Sequence, residues 1–188
     1  MGKSGSGKDT VFKELMRRED LTPVVPYTTR PARANERDGH DYFFIDAKRL
    51  CELESNGKVI ESRCYNTVHG EWFYATVDDG RIDLSQGDYI LITTPAAYVK
   101  ISAYFGADNV VPVYIQVDDG FRLTRAISRE REQEQPNYEE ICRRFLADCD
   151  DFSEKRLQDA GIVEYYINVN LEKCVDDILS RLFGGIEE

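Results

Sequence analysis

Residues 2–8 read G-K-S-G-S-G-K, and this stretch decides the fold class. Gly-x-x-x-x-Gly-Lys is the phosphate-binding P-loop, in which backbone N–H groups surround the phosphates of a nucleotide and the lysine reaches the β- and γ-oxygens. Apolar residues at 11, 12, 15 and 16 follow at roughly helical spacing. The loop therefore leads into a helix, whose N-terminus favours an anion. The sequence predicts nucleotide-phosphate binding by Gly2, Ser4, Gly5, Ser6, Gly7, Lys8, Asp9 and Thr10.

The residue after the lysine departs from the usual P-loop. Ser or Thr normally follows and its hydroxyl ligates Mg²⁺, whereas this chain has Asp9 and then Thr10. A carboxylate is itself a good hard-oxygen ligand for Mg²⁺, so we expect Asp9 to replace the hydroxyl at a magnesium site. The alternative is that Asp9 only complements the dipole at the start of the helix.

Length, charge and cysteine content restrict the class of protein. The 188 residues suit one domain with room for inserted subdomains. A net charge of −11 argues against long nucleic acids, but not against a small anionic substrate held by a few arginines. The five cysteines lack C-x-x-C spacing, which favours reduced thiols in a cytoplasmic protein. With no transmembrane or signal-peptide pattern, we expect no membrane association.

Strand-like and helix-like segments alternate at both ends of the chain, which predicts an α/β fold with a parallel sheet and helices on both of its faces. The aromatic segments 59–65 and 72–77 predict a hairpin in an inserted antiparallel subdomain. Further strands are predicted at 21–27, 41–46, 89–94, 110–117 and 165–169. Helices are predicted at 47–54, 95–105, 123–134, 138–157 and 171–182.

A P-loop usually follows a central buried strand, and the printed sequence starts one residue before the loop. In a doubly wound sheet such a strand is paired on both sides. We therefore expect the first core strand to be missing from the chain as given, with a gap or a substitute segment beside the strands at 89–94 and 110–117.

A second informative stretch is T-T-R-P-A-R at residues 28–33, followed by Glu36, Gly39 and D-Y at 41–42. Arg30 and Arg33 lie three residues apart on a turn, so their planar donor forks can converge on one phosphate. The hydroxyl of Tyr42 would add a neutral donor. The alternative is an ordinary solvated basic loop.

The P-loop, T-T-R-x-x-R, a glutamate and G-x-D-Y-x-F, in this order, resemble guanylate kinase. The resemblance continues through V-I-E at 59–61, F-Y-A-T at 73–76 and I-N-V-N-L-E at 167–172, and it spans residues 2 to about 180. It implies a single domain, 1–188, with a P-loop core at 1–26, 88–121 and 141–188. A monophosphate-binding subdomain would occupy 27–87 and a helical lid 122–140.

The same resemblance implies Mg-assisted phosphoryl transfer from ATP to GMP or dGMP in a monomer or homodimer. Lys8, Arg129 and Arg144 would neutralise the transferring phosphoryl group, and Asn168 would lie near the donor adenine. Glu61 would accept hydrogen bonds from the guanine N1–H and 2-amino groups, with Thr76 at the base edge. The phosphate of the acceptor would be held by Arg30, Arg33, Tyr42 and Tyr74.

Two departures from the family pattern leave other functions open. Pro26 stands where a serine usually contacts guanine O6, and residues 92–97 hold none of the carboxylates that the family places there. One alternative is a related monophosphate kinase with a different base preference. Another is a non-catalytic binding module on the same fold, against which the intact Lys8, Arg30, Arg33 and Glu61 argue.

Overall fold

The computed structural model describes residues 1–33, 35–67 and 69–184. They form a mixed α/β fold in two compact units. The first unit consists of Met1–Glu19, Ile92–Tyr98 and Val111–Glu188. The second unit consists of Asp20–Leu91 and Val99–Val110. In chain order the elements are α1 Lys8–Arg18, β1 Leu21–Pro23, β2 Tyr27–Thr28, β3 Phe43–Phe44, α2 Ala47–Ser55, β4 Val59–Thr67, β5 Gly70–Val77, β6 Asp88–Ile90, α3 Pro95–Phe105, β7 Ile115–Gln116, α4 Asp119–Arg131, α5 Tyr138–Asp151, α6 Glu154–Asp159, β8 Tyr166–Ile167 and α7 Leu171–Phe183. The predicted division into core, subdomain and lid stays a prediction.

The first unit is built on a short parallel pair of strands, β7 and β8. Met1 lies beside β7, because its amino nitrogen donates to Val113 O at 2.6 Å and Ile115 N donates to Met1 O at 2.8 Å. Helix α1 packs against α7, and α4 packs against α5. The chain thus enters the P-loop directly from a segment that is hydrogen-bonded to β7. The prediction of a missing first strand stays a prediction.

The apolar core of the first unit lies against α7. Val175 and Ile178 are completely buried, because they fall on one face of this helix, and Val11 and Leu15 of α1 are buried as well. A second cluster, in which the ring of Tyr114 stacks on Phe152 at 5.6 Å, fills the region near α6. Burial of these side chains stabilises the helices that carry the loop.

The second unit contains a four-stranded sheet in the order β3-β2-β5-β4 and a separate parallel pair, β1 with β6. Leu50 and Leu53 of α2 pack against Ala75 and Val77 of β5. The predicted hairpin is confirmed as β4 and β5. The predicted antiparallel pairing is found for β2 with β5 and for β4 with β5, whereas β2 and β3 are parallel. Their connection is long enough to bring the chain back in the same direction, which a two-residue hairpin turn cannot do.

The hairpin register fixes which side chains share a face. Glu61 lies opposite Thr76, and Arg63 lies opposite Tyr74. Successive strand residues point to opposite faces, so when Ala75 packs against α2, its neighbours Tyr74 and Thr76 lie on the other side of the sheet. Polar and aromatic side chains therefore gather on the face away from α2.

Several predicted elements are shorter in the structure. The strand predicted at 21–27 is divided into β1 and β2, since Pro23 and Pro26 lack the N–H that a continuous ladder needs. The strand predicted at 110–117 contains Pro112 and is reduced to β7. The helix predicted at 138–157 ends at Asp151 and restarts after Ser153, a residue type that often precedes a helix. The helix at 95–105 is confirmed at its predicted bounds.

A helix that spans a membrane must be long and apolar along its length. None of the helices in the described ranges is long and apolar enough to cross a bilayer.

The core of the first unit predicts a large effect of Ile178→Ala. This side chain is 0% exposed, so its truncation leaves a cavity and should lower the free energy of unfolding by about 2–5 kcal/mol. Leu146→Ala is the matched control, because Leu146 is 68% exposed and its truncation should change stability by less than about 0.5 kcal/mol. Urea unfolding followed by circular dichroism measures both. Equal midpoints for the two variants would contradict this packing.

Candidate functional site

The P-loop requires glycine at two positions. Gly5 and Gly7 have φ values of +81° and +80°, a region that side chains rarely tolerate. A Cβ on Gly5 would lie 2.7 Å from Arg122 O, and one on Gly7 would lie 2.5 Å from Asn168 Nδ2. Glycine is therefore required at both positions, because of the backbone conformation and because a side chain would collide with neighbouring atoms.

The backbone N–H groups of the loop divide into bonded and open ones. Ser6 N donates to Lys3 O at 3.1 Å and closes the turn, while Thr10 N and Val11 N both donate to Gly7 O at 3.0 Å. A run of open N–H groups at the start of a helix forms an anion-binding concavity. Among residues 5–9, all of which the structure describes, the N–H groups of Gly5, Gly7, Lys8 and Asp9 donate to no protein acceptor.

Lys8 is the predicted catalytic cation of the loop, and Asp9 is the predicted ligand of Mg²⁺. Lys8 Nζ lies 3.6 Å from Asp9 Oδ2, and Asp9 is exposed, as is Thr10. Among the described residues, no group of three or more Asp, Glu, His or Cys side chains is placed to hold a metal. A single carboxylate still fits Mg²⁺ that arrives with a nucleotide, because such Mg²⁺ takes one or two carboxylates together with phosphate oxygens.

A buried arginine that the sequence analysis missed holds the first half of the loop. Arg122 is 1% exposed; its Nε donates to Asp119 Oδ1 at 2.6 Å, and its Nη1 lies 3.5 Å from Ser4 O and 3.4 Å from Asp148 Oδ2. Its guanidinium also lies over the ring of Phe145 at 4.1 Å. The bond from Arg122 keeps the pKa of Asp119 below its ordinary value. The i,i+3 spacing of Asp119 and Arg122 indicated an ion pair, but not its burial.

The carboxylate of Asp148 completes this anchor. It accepts a hydrogen bond from Ser4 N at 2.7 Å, while Arg144 Nη2 donates to Ser4 Oγ at 3.2 Å. Ser4 is therefore held through its N–H, its carbonyl and its hydroxyl by residues of α4 and α5. Of the predicted phosphate-neutralising residues, Arg144 is brought to the loop in this way.

Two other predicted residues are placed differently. Asn168 is buried, and its Nδ2 donates to Ser6 O at 2.9 Å, so it clamps the main chain of the loop. Arg129 is exposed near the end of α4, and in the described part of the chain no hydrogen bond or ion pair joins its side chain to the loop. The predicted roles of Asn168 at adenine and of Arg129 at phosphate stay predictions.

The two arginines of the second unit meet at one carboxylate. Arg30 is 4% exposed and donates to Glu36 from Nη1 at 2.8 Å and from Nη2 at 2.9 Å; Nη1 also donates to Pro31 O at 2.7 Å. Arg33 N donates to the same Glu36 at 2.8 Å, and the exposed Arg33 guanidinium lies 4.0 Å away. Both arginines therefore contact Glu36, and their predicted convergence on a phosphate stays a prediction.

Burial and hydrogen bonding act in opposite directions on the Arg30–Glu36 pair. Burial lowers the pKa of Arg30, but bonding to Glu36 and the nearby Tyr74 raise it above its ordinary value. Burial raises the pKa of Glu36, and the Arg30 guanidinium together with Arg33 N–H hold it below its ordinary value. Both groups are therefore charged at neutral pH. A guanidinium has five N–H donors, of which the bonds to Glu36 and Pro31 use three.

A second buried charge pair lies on the hairpin. The Glu61 side chain is 0% exposed and accepts a hydrogen bond from Thr76 Oγ1 at 2.8 Å. Arg63 Nε lies 3.0 Å from Glu61 Oε2, and Arg63 Nη2 lies 3.3 Å from Oε1. The sequence analysis missed Arg63. Its position two residues after Glu61 on a strand was the available signal, because i and i+2 share a face.

The position of Tyr74 links the two charge pairs, because Tyr74 lies opposite Arg63 in the hairpin register and beside Tyr42. The ring of Tyr74 meets Tyr42 edge-on at 5.9 Å and Tyr65 at 5.8 Å, and the Arg30 guanidinium lies over Tyr42 at 5.2 Å. The predicted acceptor-site residues other than Arg33 thus form one connected set in the second unit. We call this set the polar face; it consists of Arg30, Tyr42, Glu61, Arg63, Tyr74 and Thr76.

Comparisons with known sequences find one family. The family model described as guanylate kinase matches residues 1–143. The guanylate kinase of Oleidesulfovibrio alaskensis is 30% identical over 180 residues, which cover 93% of this chain and 80% of that relative. That of Nitrosomonas europaea is 39% identical over 71 residues, 37% of this chain and 34% of the relative. In such shorter alignments the matched part spans about a third of the relative's own length.

A solved structure shares the fold. The crystal structure of guanylate kinase from Anaplasma phagocytophilum superposes with a TM-score of 0.62 at 20% identity, covering 100% of this chain and 85% of that one. The mixed α/β fold of this chain is therefore similar to the fold of that solved structure.

The clamp on the P-loop predicts that Asn168→Asp destabilises the protein. The change replaces a buried donor by an acceptor that faces Ser6 O, and it should lower the free energy of unfolding by about 1–3 kcal/mol. Asn109→Asp is the control, because Asn109 Nδ2 donates to Phe105 O at the same 2.9 Å but is exposed. Denaturant unfolding at pH 7 measures the difference. A loss that is no larger for Asn168 than for Asn109 would contradict the clamp.

Proposed function

Because this chain belongs to the guanylate kinase family, we propose that it transfers the γ-phosphoryl group of ATP to GMP or dGMP. The observation that carries the proposal is the polar face, where a buried carboxylate suited to a guanine base lies in the same connected set as a buried arginine and two tyrosines suited to a phosphate. The open N–H groups of the P-loop support a second, triphosphate site in the first unit.

In the proposed donor site, the N–H groups of Gly5, Gly7, Lys8 and Asp9 bind the phosphates of ATP, and Lys8 Nζ reaches its outer oxygens. Arg144, already bonded to Ser4, neutralises charge on the transferring group. Arg129 does so from a lid at 122–140, whose first residue, Arg122, is anchored to the loop. Asn168 holds Ser6 and so keeps the loop in shape.

In the proposed acceptor site, Glu61 accepts from the guanine N1–H and 2-amino groups, and Thr76 contacts the base edge. Arg30 has two N–H donors beyond its bonds to Glu36 and Pro31, and it also hydrogen-bonds with the nearby Tyr74. These donors, with Arg33 and the hydroxyls of Tyr42 and Tyr74, bind the phosphate of GMP. Glu36 keeps Arg30 fixed in place, so little side-chain freedom is lost on binding.

Magnesium completes the proposal. Asp9 would hold it, directly or through a water molecule, with Thr10 next to it. When bound with ATP, Mg²⁺ supplies charge neutralisation at the phosphates. The side chains of the protein provide positioning and further positive charge, and phosphoryl transfer needs no nucleophilic side chain. We propose that the protein works in the cytoplasm as a monomer or homodimer, with ATP and GMP as its substrates.

The proposal is tested by an assay of ADP formation from Mg-ATP with GMP, dGMP, AMP, UMP and CMP as acceptors. GMP and dGMP should be phosphorylated with the highest kcat/KM. A preference for another base would favour the related kinase that Pro26 leaves open. Binding of GMP without any turnover would favour the non-catalytic module instead.

The fork of Arg30 predicts that Arg30→Lys is not a conservative change. A lysine ammonium is a compact charge that cannot make the bidentate fork to Glu36 while donating to a phosphate. The value of kcat/KM for GMP should therefore fall by about tenfold or more, as loss of a charged hydrogen bond implies. Arg49→Lys is the control, because Arg49 is an exposed arginine of α2 that pairs with Glu52 on the same helix. Unchanged KM and kcat in Arg30→Lys would refute the assignment.

A further inference from the structure

We propose that Arg63 is a second base-reading residue, which donates hydrogen bonds to the O6 and N7 edge of guanine beside Glu61. The inference rests on the proposed function, since it concerns the base of the acceptor nucleotide. It assigns to Arg63 the recognition that a serine at position 26 would otherwise provide.

The position of Arg63 comes from the hairpin. Arg63 and Glu61 are two residues apart on β4 and share a face, and their side chains lie within 3.0 Å of each other. Thr76 lies opposite Glu61, and Tyr74 lies opposite Arg63. The carboxylate thus has a hydroxyl donor across the strand and a guanidinium next to it along the strand. A base that reaches Glu61 must therefore come close to Arg63.

The accessibility of the two side chains differs in the required direction. The Glu61 side chain is 0% exposed, whereas the Arg63 side chain is 19% exposed, although Arg63 Nε itself is buried. A guanidinium carries five N–H donors, more than a single carboxylate can accept. A guanidinium can therefore contact a carboxylate and a base at the same time.

The hydrogen-bonding groups of guanine match this pair. Glu61 is an acceptor and can bind only the N1–H and 2-amino donors of the base, so it cannot contact the O6 acceptor. The side chain of Pro26 has no donor. Arginine binds guanine O6 and N7 with two parallel hydrogen bonds, the commonest specific contact to this base in nucleic acids. Arg63 is the donor that the structure places next to Glu61.

The same pair rejects adenine by mismatch. The 6-amino group of adenine would point a donor at the Arg63 donors, and its N1 acceptor would face the Glu61 carboxylate. Buried polar groups left without a partner disfavour binding strongly. The negative charge of Glu61 and the positive charge of Arg63, on one face of β4, therefore select guanine and exclude adenine.

A purely structural role for Arg63 would be to hold Glu61 in place, and it makes a different prediction. A positioning residue affects all guanine nucleotides equally, because Glu61 contacts the N1–H and 2-amino groups that they share. A residue that contacts O6 or N7 affects most the nucleotides that have those atoms. The test therefore compares GMP with 6-thioguanosine and 7-deazaguanosine 5′-monophosphates, which keep N1–H and the 2-amino group.

The experiment measures Kd by calorimetry and kcat/KM with Mg-ATP for the full chain, Arg63→Met and Arg63→Lys. Arg49→Met is the control, since Arg49 is an exposed arginine of the same unit on α2. The unmodified protein should bind GMP about tenfold or more tightly than either analogue, as one or two charged hydrogen bonds imply. Arg63→Met should weaken GMP binding by about 10–100-fold and bring the ratio of GMP to analogue close to one. Arg63→Lys should keep part of the preference.

Three results would overturn the inference. In the unmodified protein, equal affinity for GMP and both analogues would do so without any variant, even if Arg63→Met failed to fold. An equal loss for GMP and the analogues in Arg63→Met would assign Arg63 to positioning alone. An unchanged ratio in a folded Arg63→Met would remove it from the site. If the unmodified protein phosphorylates GMP, these results refute only the role of Arg63, whereas no turnover with any acceptor refutes the proposed function itself.

Discussion

Buried charge must be paired, and this constraint shapes both candidate sites. Removing a guanidinium or a carboxylate from water is unfavourable by several kcal/mol unless hydrogen bonds and an opposite charge compensate. In the first unit, Arg122 is compensated by Asp119, Asp148 and the carbonyl of Ser4. The main chain of the P-loop is one of the partners, so the shape of the loop and the pairing of Arg122 depend on each other.

The same constraint prepares the polar face for a charged ligand. Glu36 fixes Arg30, and Thr76 and Arg63 fix Glu61, before any nucleotide is present. Groups that are already oriented stabilise a ligand or transition state without reorganising at the moment of reaction. A phosphate near Arg30 and a guanine near Glu61 would add hydrogen bonds to these charge pairs rather than break them. Glu61 Oε2 is buried with no hydrogen bond among the described residues, so it has an acceptor to offer.

Local sequence predicted the parts that depend on local physics. The P-loop was readable as a motif, the hairpin from its β-branched and aromatic runs, and α3 from its length and its first-turn proline. The strand lengths were overestimated where Pro23, Pro26 and Pro112 remove backbone donors. Arg122 and Arg63 were missed, because a helix i,i+3 pair or a strand i,i+2 pair has the same spacing when it is solvated as when it is buried. Only the tertiary packing of α5 and of the hairpin makes them buried charges.

In the proposed function, the P-loop binds ATP, the donor, and the polar face binds GMP, the acceptor. Hydrogen exchange measured by mass spectrometry, with GMP alone and with a non-hydrolysable ATP analogue alone, tests it most directly, since open and flexible N–H groups exchange fastest. The analogue should slow exchange in residues 2–11, and GMP should slow it in residues 27–33, 42–44, 59–65 and 70–77. Protection of the P-loop by GMP, with no change in the hairpin, would contradict the account.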